Sequence, residues 1–129
     1  MSGDNEVREW VSYAEEDFIT AKEMLKRRKP LLLTVCFHSQ QCAEKYLKAM
    51  LVFKDVSFPK THDLLILDML CNDAGIATGF SKEQLVDLSG HAVHTRYPGN
   101  APTLEDAKDA VAIATVVRRF TLSFLGLKK

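Results

Sequence analysis

Nothing in the 129 residues approaches the roughly 20-residue apolar run that a membrane-spanning helix needs. The opening residues Met1-Ser2-Gly3-Asp4-Asn5-Glu6 are polar and acidic, unlike a secretory leader, so the expected location is the cytoplasm. Net charge is missing as well. Lys and Arg number 17 against 17 Asp and Glu, so no overall field draws the molecule to nucleic acid or anionic lipid, and any contact with a polyanion must be local. The three cysteines, Cys36, Cys42 and Cys71, include no C-x-x-C pair, and each lies in an apolar-patterned segment, which reads as buried reduced thiols. A P-loop, a paired-glycine dinucleotide fingerprint and a Ser-His-Asp signature are all absent. Strand-like alternation, internal repeats and low-complexity segments are absent too.

What is present is helical periodicity, and the chain is of a size for a single domain spanning 1–129. Val7, Val11, Ala14, Phe18, Ala21 and Leu25 recur in steps of four and three, which predicts a first helix from about Glu6 to Arg28 with Trp10 on its flank. Lys26-Arg27-Arg28-Lys29 closes that helix. A basic cluster there complements the negative end of the helix dipole, and a phosphate clamp is the alternative reading. Pro30 breaks the helix. A second helix is expected from about Leu32 to Lys54, and a short third one, carrying Leu64, Leu65, Leu67, Met69 and Leu70, is expected to be buried on most sides and to end at Asn72-Asp73-Ala74-Gly75. Ser81-Lys82-Glu83-Gln84 resembles a capping box at the start of a fourth helix. Thr103 can cap a fifth, whose small residues Ala107, Ala110 and Ala114 admit a close neighbour. The fold class is therefore all-α, an up-and-down four-helix bundle with a short additional helix, five in all.

The organising stretch is Cys36 to Ala49. Cys36, Ala43, Leu47, Met50 and Phe53 form its apolar stripe, and His38, Gln41, Lys45 and Lys48 form a polar one. That polar side, with an amide, an imidazole and two ammonium groups, is the candidate ligand-binding face. The plainer alternative is a solvated helix face carrying a Glu44–Lys48 pair. The second focus is His91 to Pro98, where Arg96 and Tyr97 suit phosphate recognition and base stacking; equally, Arg96 can bond helix-end carbonyls and Tyr97 can pack the loop. The polar side of the second helix and the Arg96 loop are expected to line one hollow, with His62 at its rim. The spacings His38 to Cys42 and His91 to His94 would permit zinc, but no further ligand motif supports them, so no metal and no cofactor is expected.

Three blocks in this order resemble the HEPN domain family: His38-Ser39-Gln40-Gln41-Cys42-Ala43-Glu44-Lys45-Tyr46-Leu47-Lys48-Ala49, Phe58-Pro59-Lys60-Thr61-His62-Asp63-Leu64 and His94-Thr95-Arg96-Tyr97-Pro98-Gly99, preceded by a first helix with Trp10, Ala14 and Asp17-Phe18. The resemblance implies a nucleotide- or RNA-binding module, usually a homodimer, that works with a minimal nucleotidyltransferase as a toxin–antitoxin pair. It also implies, in many relatives, a metal-independent ribonuclease built on an arginine followed by a histidine after four to six residues. In this chain no histidine follows Arg96, and His91 precedes it, so His91, His94 and Arg96 are the only candidates for a catalytic role and whether the chain is an enzyme stays open. A purely structural, partner-binding subunit is the third alternative.

Overall fold

The computed structural model describes residues 2–94 and 98–127; for 2 and 91–94 it describes the backbone alone. Five helices follow one another: α1 (Ser2–Lys26), α2 (Leu32–Phe53), α3 (Leu64–Asp73), α4 (Lys82–His94) and α5 (Leu104–Phe124). No strand forms among the described residues. Helix α2 is the hub, the one element that packs on all four others, with α1 and α5 as its main neighbours. Its composition explains this position. Cys36, Cys42, Ala43 and Ala49 are small enough to admit neighbouring backbones, and Val35, Tyr46, Leu47, Met50 and Leu51 fill the space between them. All nine of these side chains are buried.

Helix α1 lays Val7, Ala14, Phe18 and Ala21 on this hub, and α5 adds Ala107, Ala110, Ala114 and Val117. The small-residue half of α5 thus meets α2, as its sequence predicts. The thiols of Cys36, Cys42 and Cys71 are free and buried. Burial pushes Cys36 up to about 11 and Cys71 up to about 12, so these thiols stay protonated and inert near neutral pH.

Local signals set the helix ends. Thr103 accepts from the Asp106 N–H at 3.0 Å while Asp106 Oδ2 accepts from the Thr103 N–H at 2.9 Å, a complete capping box. Ser81 Oγ accepts from the Gln84 N–H at 3.2 Å, and Asp63 Oδ1 caps α3 through the Leu65 N–H at 2.9 Å. At the far end of α2, Asp55 takes a φ of 57° while Val56 N–H donates back to the Leu51 carbonyl at 2.9 Å. This is a Schellman closure with an aspartate in the place that glycine usually holds.

Two expectations need correcting. Helix α1 starts earlier, at Ser2, and stops at Lys26, so Arg27, Arg28 and Lys29 lie beyond it rather than in its last turn. Helix α3 is not buried on most sides: Leu64, Leu67 and Cys71 face the core, but Ile66 and Met69 are exposed, because only α2 and α4 pack on it and ten residues leave one face uncovered. No helix among the described residues is long and apolar enough to cross a membrane.

Candidate functional site

Because α1 and α2 are joined by a short turn, they run antiparallel, and their flanks meet in register. Trp10, Tyr13 and Asp17 recur on α1 at steps of three and four; Lys48, Lys45 and His38 recur on α2 in the opposite direction. The pairs follow in order along the seam. The Lys48 ammonium lies 5.5 Å from the Trp10 ring centroid, and that of Lys45 lies 5.9 Å from Tyr13. At the end of the row, one Asp17 carboxylate takes two partners: Oδ1 stands 2.7 Å from His38 Nδ1, and Oδ2 accepts from Lys45 Nζ at 2.7 Å.

Asp17 itself is buried, whereas His38 and Lys45 keep 29% and 24% of their side chains exposed. The carboxylate therefore fixes both groups from beneath. His38 spends Nδ1 on Asp17, which leaves Nε2 as the nitrogen for any further partner, and Lys45 spends one of three N–H bonds. Phe37 packs edge-on against the His38 ring at 5.3 Å, and Tyr13 presents a half-exposed ring beside Lys45. An imidazole nitrogen, an ammonium and an aromatic face at one surface can take up a phosphate and a stacked base.

The remainder of the polar stripe is arranged differently. Glu44 is buried and accepts from Lys48 Nζ at 2.9 Å and Gln40 Nε2 at 3.2 Å, with His62 Nδ1 also at 2.9 Å. Gln41 Nε2 donates to Gln40 Oε1 at 2.9 Å, and Gln40 Nε2 also donates to the His62 carbonyl at 2.9 Å. This network ties the loop before α3 to α2. The Glu44–Lys48 pair exists, but neither it nor Lys48 is solvated: Lys48 is buried between Glu44 and the rings of Trp10 and Phe58. The expectation that Lys48 faces a ligand is thereby corrected. Its stem had to cross apolar surface to reach a carboxylate, so it became an internal anchor. His62, by contrast, is largely exposed at the edge of the network, as a rim residue should be.

The structure thus brings His38, Gln41, Lys45, Lys48 and His62 onto one side of α2. Arg96 and Tyr97 lie outside the described residues, as do the side chains of His91 and His94, so the shared hollow and the catalytic candidates fall there too. Among the described residues, no three His, Cys, Asp or Glu side chains group in a way that could hold a metal ion.

Three residues that sequence reading passed over make a second cluster on the same seam. Glu15 accepts from Arg118 Nε at 2.5 Å and Nη2 at 3.1 Å, and from the Tyr46 hydroxyl. The Arg118 guanidinium also lies 4.6 Å over the Phe18 ring. Burial alone would push the Glu15 carboxyl up, but Arg118 and Tyr46 outweigh it and hold the group below the usual carboxylate range. Burial and the Glu15 contact push the Tyr46 hydroxyl up in turn. The residues are 31 and 103 positions apart, so no local pattern announces them. The one available signal for Asp17 was its place on the Trp10–Tyr13 flank, where an acid beside an apolar stripe must find a cation.

No curated protein and no solved structure matches the chain. A family model does: that of the HEPN domain aligns with residues 7–124, from the first buried residue of α1 to the last residue of α5. It takes in the whole α1–α2 seam and the hub helix on which the site is built, and the protein belongs to the HEPN family.

Proposed function

We propose that this chain is a nucleotide- or RNA-binding HEPN module, a homodimer that works with a minimal nucleotidyltransferase in a toxin–antitoxin-like pair. The observation that carries the binding reading is the bifurcated Asp17 carboxylate, which holds His38 and Lys45 side by side at the surface next to the Tyr13 ring. Phosphate oxygens would meet Lys45 and His38 Nε2, and a base would lie on Tyr13, with the Gln41 amide and His62 near enough in sequence register to select among ligands. Binding is local, in keeping with a chain of zero net charge.

Calorimetric titration with mononucleotides and short single-stranded RNA tests this. Saturable binding is expected, weakened about tenfold or more by Lys45→Ala and by His38→Ala, each such factor being about 1.4 kcal/mol. Absence of saturable binding to any of them, or affinity untouched by both substitutions, removes the reading. The pairing is tested by co-purification with the product of an adjacent nucleotidyltransferase reading frame, where a stable one-to-one complex or higher assembly is expected.

A further inference from the structure

Away from the α1–α2 seam, a groove of about 560 Å³ runs between α4 and α5. Glu83 and Asp87 stand on one wall, Asp106 and Asp109 on the other, and no lysine or arginine lines it. Its apolar part includes Ile113 and Val116, the latter 52% exposed. An acidic groove with an apolar strip is matched in chemistry by one other surface of the same chain. Just past α1, Arg27, Arg28 and Lys29 are exposed and pair with nothing among the described residues, and Leu31 and Leu33 follow them at 42% and 48% exposure.

The two surfaces share an end of the bundle. The Leu31 N–H donates to the Met24 carbonyl at 3.3 Å, which folds the basic corner over the start of α2, and the charge of Asp106 reaches Cys36 in that same part of α2. Three unpaired cations with two leucines therefore lie near four carboxylates with exposed aliphatic carbon, yet each set stays apart within one molecule. A two-fold axis would satisfy both at once, since each copy supplies one corner and one groove.

We infer that the corner from Arg27 to Leu33 of one copy seats in the α4–α5 groove of a second, with the guanidinium and ammonium groups on the carboxylates and the leucines against Ile113 and Val116. This rests on the homodimer proposed above and names its surface. Cations at a rim steer and register the partners, while the buried aliphatic contact holds them.

The test uses the full chain and two charge reversals at exposed positions, R27E/R28E and D87K/D109K, with helicity checked by circular dichroism. Sedimentation velocity should show the wild type dimeric at about 0.1 M salt and dissociating by about 1 M, where the screening length falls to roughly 3 Å. Each variant alone should be monomeric, because like charges then face one another. An equimolar mixture of the two should dimerise again, since both contacts are restored with their signs exchanged. A dimer that persists in both variants, or a mixture that stays monomeric, overturns this surface while leaving the dimer itself standing. A wild type that is monomeric throughout overturns both. If R27E/R28E stays dimeric but loses affinity for RNA, the corner serves a polyanion and the inference falls.

Discussion

Glu15 and Asp17 stand two residues apart on α1 and both reach across to α2, yet the surroundings give them opposite roles. Glu15 is closed in by Tyr46 from α2 and Arg118 from α5, with Phe18 beneath the guanidinium, and every partner is consumed inside the protein. Asp17 also pairs fully, but its partners His38 and Lys45 project to the surface and keep unused nitrogen valences. Two acids on one seam thus separate into a lock and a cradle. The difference lies in where the partners end, not in the strength of the individual bonds: a saturated buried cluster resists change, whereas a half-buried one holds groups in place for something else.

The sharpest way to break this comparison is Arg118→Ala. It leaves Glu15 and the Tyr46 hydroxyl without their cation and strips the cover from Phe18, so urea unfolding should show a loss of about 2–3 kcal/mol. Nucleotide affinity, measured on the folded fraction, should stay as in the wild type. Lys45→Ala should reverse that pattern. Its stability should fall by no more than about 1 kcal/mol, as for a partly exposed pair, while the dissociation constant for short RNA rises about tenfold. A Lys45 variant that unfolds as readily as the Arg118 variant would erase the distinction between the two clusters.

Protonation sharpens it further. The Glu15 carboxyl is held below its ordinary pKa in the folded state, so its contribution is present above the unfolded pKa and is lost as pH falls through the lower folded value. Glu15→Gln should therefore be less stable than wild type at pH 7, with the gap closing in acid. Melting temperatures of the two proteins should converge towards the acid end of that window, and a gap independent of pH would show that the charge is not what matters. The smallest effect lies outside both clusters. Asp55 holds a left-handed φ of 57° at the end of α2, so Asp55→Gly should stabilise by up to about 1 kcal/mol in thermal unfolding, without changing ligand affinity.

Much of the scaffold could be read in advance because helical periodicity is a local property. The stripe Val7, Ala14, Phe18, Ala21 lands in the core, Thr103 caps α5, and Gly75 ends α3 at a φ of 88°. Where reading went astray, the deciding contact was remote. Ile66 and Met69 look like core until the partners of α3 prove too few to cover them. Lys48 and Lys45 sit one turn apart on the same stripe, and sequence treats them alike, but a buried Glu44 and two rings enclose one while the other stays at the surface. Arg118 and Arg119 are neighbours in sequence, and only the approach of α1 decides that the first is buried and the second exposed.

By itself, then, the order of residues determined where helices begin and end, which stripe of each is apolar, and the family likeness carried by the α2 block, since all three depend on spacing along one chain. The packing of α1 and α5 on α2 decided which charges meet. A carboxylate chooses among cations by distance and burial across helices, and those quantities exist only once the bundle has closed.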